Sequence, residues 1–235
     1  MIQLPSWETR YGLNYTNSPP SWRVVDKTRG ENEEIIFNLQ GVIEHKVLPP
    51  ILDARKVSNP HLFSQSLRLV GLGTATFNDS VNAAMQMFNV FSRQFPDKRV
   101  IVWEPPASSW TSNLGLSMSN RYFTRAKEAG HMPSVPFPAD VDPKGVLNAI
   151  LDDELIHTEE NDVKYYTRHT DLGNKPKYFP GNPQMFRIGD IVEVQFSLVY
   201  YKMRSDKYIF KPMLYSIALL DGQFANVSCV SKIKC

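Results

Sequence analysis

The chain has 235 residues, of which 42% are hydrophobic, 21% charged and 11% aromatic. That is long enough to bury a sizeable core as one large domain or two small ones, and the composition excludes disorder over most of the length. The formal net charge of +2 is uneven: residues 163–235 hold eleven Lys and Arg against five Asp and Glu, a balance of +6, which leaves −4 on residues 1–162.

Such asymmetry admits an anionic partner at the C-terminal end, and equally a solvated surface of mixed sign. Seventeen prolines against twelve glycines favour fixed loops over long helices. The two cysteines, Cys229 and Cys235, make neither a disulfide framework nor a CxxC pattern. The start, MIQLPSWETRYG, shows no basic region followed by an apolar core, and no run of about 18 apolar residues occurs. The expected setting is intracellular, cytoplasmic or nuclear, with no membrane partner. The triplets beginning at Asn14, Asn78 and Asn226 match the glycosylation pattern but carry no weight without secretion.

Residues 1–34 are polar and turn-rich, with Trp7 and Trp22 available to fold the arm onto a core. EIIFNLQGVIEHKVL reads as a strand or a bent strand pair with Gly41 as the candidate bulge, and SLRLVGLGTATF as another strand. A helix follows, capped by Asn78, Asp79 or Ser80, with Val81, Ala84, Phe88, Phe91 and Phe95 on one stripe and Pro96 at its end. RVIVWEPP reads as a short buried strand, and residues 105–120 as a long polar loop. RYFTRAKEAG reads as a short helix with Gly130 as its C-cap.

The proline-rich stretch 131–143 is the candidate linker. One compact unit is expected. The alternative divides it into an α/β-like part, 1–130, and a helix-plus-antiparallel module, 141–235. DPKGVLNAILDDELI reads as a helix capped by Asp142, and IHTEENDVKYYTRHT as a hairpin turning at residues 160–162.

Residues 189–222 form the clearest signal. A two-residue turn at Ser205-Asp206, or a four-residue loop from Arg204 to Lys207, pairs Val192 with Leu219, Val194 with Ile217, Phe196 with Tyr215 and Leu198 with Met213 on one apolar face. Toward the tip the alternation fails, and a bend is expected near Pro212. The tip is both basic and aromatic. Tyr200, Tyr201, Tyr208 and Phe210 are candidates to stack on bases, and Lys202, Arg204, Lys207 and Lys211 to contact phosphates. The competing reading packs the aromatics into the core and leaves the cations as a solvated turn.

DVDPKGVLNAILDDELIHTEENDVKYY, RIGDIVEVQFSLV and YSIALLDGQF together resemble a group of uncharacterised proteins predicted in mushroom-forming fungi, over roughly residues 141–224. The resemblance implies no activity and no catalytic residues. It implies a recurring C-terminal module in a eukaryotic cell.

Catalytic patterns fail on their own terms. His169-Thr170-Asp171 has the HxD step of a facial triad, but no histidine follows it. His157, Glu159 and His169 are the remaining set for a metal, spread across one expected hairpin. Gly71 to Thr74 lacks the third glycine of a dinucleotide loop, and Gly115 to Ser119 misses the last glycine of a hydrolase elbow. Asp152, Asp153 and Glu154 are adjacent on the expected helix and face different ways. No cofactor, metal site or catalytic residue is therefore assigned.

The expected fold is α+β, mainly antiparallel β with two or three helices, and with an oligonucleotide-binding-type small barrel in the C-terminal half. The expected function is non-enzymatic nucleic-acid binding through the hairpin tip. Protein–protein interaction or self-assembly is the alternative, and a metal-dependent enzyme the third.

Overall fold

Short alternating runs build one large sheet, seen in a computed structural model that describes residues 10–28, 33–57, 59–169 and 175–223. β1 (Tyr11–Asn17) and β2 (Pro20–Asp26) form an N-terminal hairpin, and β3 (Glu33–Glu34) pairs with β2. β4 (Phe37–Val47), β5 (Ser64–Val70) and β6 (Gly115–Arg121) make an antiparallel meander, with helix α1 (Ala75–Phe91) inserted before β6. β7 (Thr124–Arg125) and β8 (Leu155–Ile156) pair separately. β9 (Lys164–His169) and β10 (Lys177–Pro180) form an edge hairpin. β11 (Ile191–Lys202) and β12 (Tyr208–Asp221) are the long C-terminal hairpin.

Five strands close a barrel. β4 pairs with β5 and β5 with β6, and β6 meets β12 in parallel at Ser119 and Met213. β12 pairs with β11, which returns to β4 through residues 191–196. A meander whose two edges are closed by a later hairpin is the Greek-key arrangement of an oligonucleotide-binding-type barrel. The fold is thus antiparallel-dominated β with helices, as expected. The barrel, however, is not confined to the C-terminal half: three of its strands come from residues 37–121. β2 continues the sheet beyond β11, and β9 lies parallel to β12.

The barrel interior is aliphatic. Ile43, Leu67, Leu69, Leu116, Val192, Val194 and Ile217 are all buried. Helix α1 lays Phe77, Val81, Ala84, Phe88 and Phe91 over it, and Phe95 follows in the same stripe. Phe77 reaches the sheet because Gly41 and Gly71 carry no side chain: a Cβ there would sit 2.9 Å and 2.3 Å from its carbons. Gly41 therefore serves close approach. The bulge of β4 lies between Ile43 and His45 instead.

Several local expectations are overturned. Helix α1 starts at Ala75, ahead of the expected caps, because the turn at Gly71 and Gly73 already ends β5. Residues 99–104 make only a bridge from Val100 to Tyr208, with Ile101 and Val102 exposed. The polar stretch 105–120 runs into β6, whose Leu116 and Met118 point inward between serines. DPKGVLNAILDDELI is turns, a 3-10 segment at Asn148–Ile150 and the short strand β8. There Gly145 takes a positive φ of 68° and the Asp142 carboxylate accepts from the Asn148 amide at 2.8 Å, closing a loop instead of starting a helix. IHTEENDVKYYTRHT is not a hairpin, since β8 pairs with β7 while β9 pairs with β10 and β12. Trp7, Cys229, Cys235, Asn226, Thr170 and Asp171 lie outside the described residues.

The long hairpin keeps half of its expected register. Val192 pairs with Leu219 and Val194 with Ile217, but Phe196 pairs with Leu214, Leu198 with Pro212 and Lys202 with Tyr208. The loop is the odd-length 203–207, closed by Met203 N–H to the Lys207 carbonyl at 2.7 Å with Asp206 at φ 62°. An odd loop shifts the pairing by one residue, and a bulge at Tyr215 restores it. The ladder has two register shifts, one beside Leu220 and one at Tyr215, and Pro212 itself pairs in register with Leu198.

Candidate nucleic-acid interface

The hairpin tip separates its aromatics from its cations. Tyr200 is fully buried, with its ring centroid 4.8 Å from Phe95 and 5.0 Å from Phe210, and its hydroxyl donates to the Phe88 carbonyl at 3.1 Å. Tyr208 is buried against Trp22 and Phe95. Neither ring offers a face to a base. Tyr201 points to the other side of the strand, half-buried, its hydroxyl donating to Met213 Sδ at 3.0 Å. Lys202 is exposed but pairs with Asp206 at 2.6 Å, and Asp206 also holds Arg99. Arg204 and Lys207 are exposed, and Lys211 is half-buried.

A second polar surface begins beside the tip. The outward residues of β5 and β6 are Ser64, Ser66, Arg68 and Ser117, Ser119, Arg121, set across from one another as Ser64–Arg121, Ser66–Ser119 and Arg68–Ser117. All are half-buried, so the floor is small-residue and polar with a cation at each end. At one end Arg68 Nε donates to Ser117 Oγ at 3.2 Å, and exposed His45 lies opposite it on β4. The bulge turns Glu44 toward the same end, where it accepts from Ser108 Oγ and the Ser109 amide, both at 2.7 Å. Burial works against the Glu44 charge, but these donors outweigh it and hold the carboxyl below its usual range. The loop they fix presents Trp110, which is 46% exposed.

At the other end the Arg121 guanidinium lies over the Tyr201 ring, 5.9 Å from its centroid, and shares a pocket with Lys211. Arg204 joins His61, Arg125 and Lys127 around a cleft of about 270 Å³ that also contains Asp153 and Glu154. The cleft therefore brings the tip against the loop between β4 and β5. Of the residues expected at a nucleic-acid site, Arg204, Lys207, Lys211 and Tyr201 face outward or into a pocket. Tyr200, Tyr208 and Phe210 are core, and Lys202 is tied within the turn. Arg68, Arg121 and Trp110 escaped the sequence reading. The signal for the two arginines was the alternation in SQSLRLV and GLSMSNR, of which the first was read as a strand while the serines of the second hid β6.

No protein-family model and no curated protein matches the chain. Among solved structures it is similar to gp2.5, a single-stranded DNA binding protein encoded by bacteriophage T7. The TM-score is 0.40, with 13% identity over 79% of this chain and 91% of that one. At those values the likeness assigns neither ligand nor site.

Beneath the tip lies a charged knot that the sequence did not announce. Arg23 donates to Glu34 and to Glu160, each at 2.6 Å, and approaches the Tyr215 hydroxyl at 3.3 Å. Tyr215 in turn donates to Glu34 at 2.9 Å, and Ser197 also bonds Glu34. Burial opposes the Arg23 charge, but these neighbours overcome it and raise its pKa. The knot links β2, β3, β11, β12 and the turn at Glu159–Asn161, and it is a structural centre. The metal set is not assembled either. His157 is buried, with Nδ1 against the Tyr122 carbonyl at 2.8 Å and its ring stacked on Phe137. His169 lies on β9 beside Phe179. Among the described residues no three His, Cys, Asp or Glu side chains group as metal ligands. Among the same residues no helix is long and apolar enough to cross a membrane.

Proposed function

We propose that the protein binds single-stranded nucleic acid along the outward face of β5 and β6, between the Trp110 loop and the β11–β12 tip. The observation that carries this reading is the half-buried serine floor with Arg68, which also pairs with Glu44 at 3.7 Å, and Arg121 at its ends, continued by Lys211, Arg204 and Lys207. In barrels of this topology the second and third strands, flanked by the first and last inter-strand loops, form the face that takes oligonucleotides. Here these are β5 and β6, the loop carrying His61 and the tip carrying Arg204. Small side chains let a strand lie close, cations meet its phosphates, and exposed Trp110 and half-buried Tyr201 supply the aromatic surface. The aromatic supply is thinner than in a stacking-dominated binder, so the ionic contribution leads.

The test is fluorescence anisotropy of labelled single- and double-stranded oligonucleotides at about 50 and 200 mM salt. Binding by the wild type should weaken with salt, and Arg68→Ala/Arg121→Ala should lower the slope of log K against log salt by about 1.4. No binding at the lower salt overturns the proposal.

A second reading, a protein interface, is favoured by edge strand β10, where Tyr178 and Phe179 are 44% and 48% exposed. Edge strands with apolar side chains recruit further strands. Mass that rises with protein concentration in sedimentation would support it.

A further inference from the structure

Lys211 on β12 and Arg121 on β6 line one small pocket together with Asn120, Thr124, Tyr201, Pro19 and Pro20. Its volume is about 50 Å³. A single water needs about 10–15 Å³ of such space, so the pocket admits a group of a few heavy atoms and no nucleobase.

Two carboxylates stand in its wall, and each is already engaged. Glu160 accepts from Arg23 at 2.6 Å and Glu128 from Arg125 at 3.4 Å. The neutral groups are engaged as well. Asn120 Nδ2 donates to the Glu160 carbonyl at 2.8 Å and to the Leu214 carbonyl at 3.1 Å, and Thr124 Oγ1 donates to Asn161 Oδ1 at 3.0 Å. Among the described residues neither Lys211 nor Arg121 takes part in an ion pair. Two cations thus share a sheltered space whose two carboxylates already pair with other arginines. Burial, and then the nearness of Arg121, push the Lys211 ammonium down to about 8. An unpaired cation out of water is costly, and an anion seated between the two would remove both the desolvation cost and the repulsion.

We infer that Lys211 and Arg121 form a binding site for one phosphate-sized oxyanion, either a phosphate group at the end of a nucleic-acid strand or inorganic phosphate from solution. Lys211 supplies a point charge with rotatable donors, and Arg121 a planar fork held against Tyr201. The inference stands on the pocket alone, independent of whether a strand crosses β5 and β6.

The experiment is a phosphorus NMR titration of inorganic phosphate at pH 7 against the wild type, Lys211→Met, Lys211→Arg and Arg121→Gln. The wild type should bind saturably, Lys211→Met and Arg121→Gln about tenfold more weakly or not at all, and Lys211→Arg should retain binding. Circular-dichroism melts show that each variant is folded. No saturable binding by the wild type, or equal binding by the wild type and folded Lys211→Met, overturns the inference. A second arm compares oligonucleotides with phosphorylated and hydroxyl ends. A preference for the phosphorylated end that vanishes in Lys211→Met identifies strand ends as the source. Phosphate binding with no end preference identifies free phosphate. If no oligonucleotide binds at all, the nucleic-acid proposal fails while the phosphate titration still decides the pocket.

Discussion

The Tyr200 hydroxyl donates to the main-chain carbonyl of Phe88, so the long hairpin is fastened to helix α1 near its tip. The ring that a sequence reader would offer to a nucleobase instead seals the end of the barrel, against Phe88, Phe95 and Phe210. Two substitutions separate its contributions. Tyr200→Phe should cost about 0.5–1.5 kcal/mol, the net value of one hydrogen bond, because the Phe88 carbonyl keeps a second donor in the Ser92 amide. Phe88→Ala should cost about 3–5 kcal/mol through the cavity it leaves. Urea unfolding measures both, and oligonucleotide affinity should follow neither beyond the loss of folded protein.

Arg23 ties Glu34 and Glu160 together in a largely buried setting. Arg23→Met should destabilise by about 3 kcal/mol, because it removes the ion-pair partner of Glu160 and leaves Glu34 with only the Tyr215 and Ser197 hydroxyls. Adding Glu34→Gln to that variant should recover part of the loss. A double variant that is less stable than the sum of its singles would contradict this account.

Lys211 predicts a gain. Met has similar volume and no charge to desolvate, so Lys211→Met should be more stable than the wild type in phosphate-free buffer at pH 7, by about 1–3 kcal/mol. The folded pKa of about 8 lies below the ordinary lysine value, so the unfolded chain holds more protons between the two. Stability of the wild type should therefore rise as pH climbs from about 8 toward about 10.4, and Lys211→Met should lack that rise. The charged groups facing Lys211 are Arg121, Glu160 and Glu128, with Tyr201 raised by burial to about 12. Thermal melts across pH report the difference. A lysine with a purely structural role would lower stability when replaced.

His157 acts at the acid end. Burial lowers its pKa despite the Tyr122 carbonyl, so the folded state prefers the neutral ring. The penalty is absent above the ordinary imidazole value of about 6.5 and grows as pH falls from there toward the lower folded pKa. Unfolding free energy should drop over that interval, and His157→Gln should flatten the drop.

Gly41 and Gly71 carry the approach of Phe77 to the sheet. Gly41→Ala should cost about 1–3 kcal/mol by overpacking. Pairing it with Phe77→Leu should return part of that loss, as seen in denaturant midpoints.

The sequence by itself determined the strongly periodic elements. Val81, Ala84, Phe88 and Phe91 announce α1, and the alternation of Val192, Val194 and Ile217 announces the base of the long hairpin, because side-chain spacing alone sets which face is buried. It left β6 concealed, since a strand of serines between Leu116 and Met118 has low propensity and gains its place from neighbours on both sides. It also misread DPKG, which opens a helix or a tight turn with the same residues. Gly145 and the Asp142 bond to Asn148 decided that in three dimensions. Closure of the barrel, the bulge that carries Tyr215 to Glu34, and the meeting of Arg121 with Lys211 belong to the tertiary structure. Each joins residues far apart in the chain, and local periodicity contains no term for such contacts.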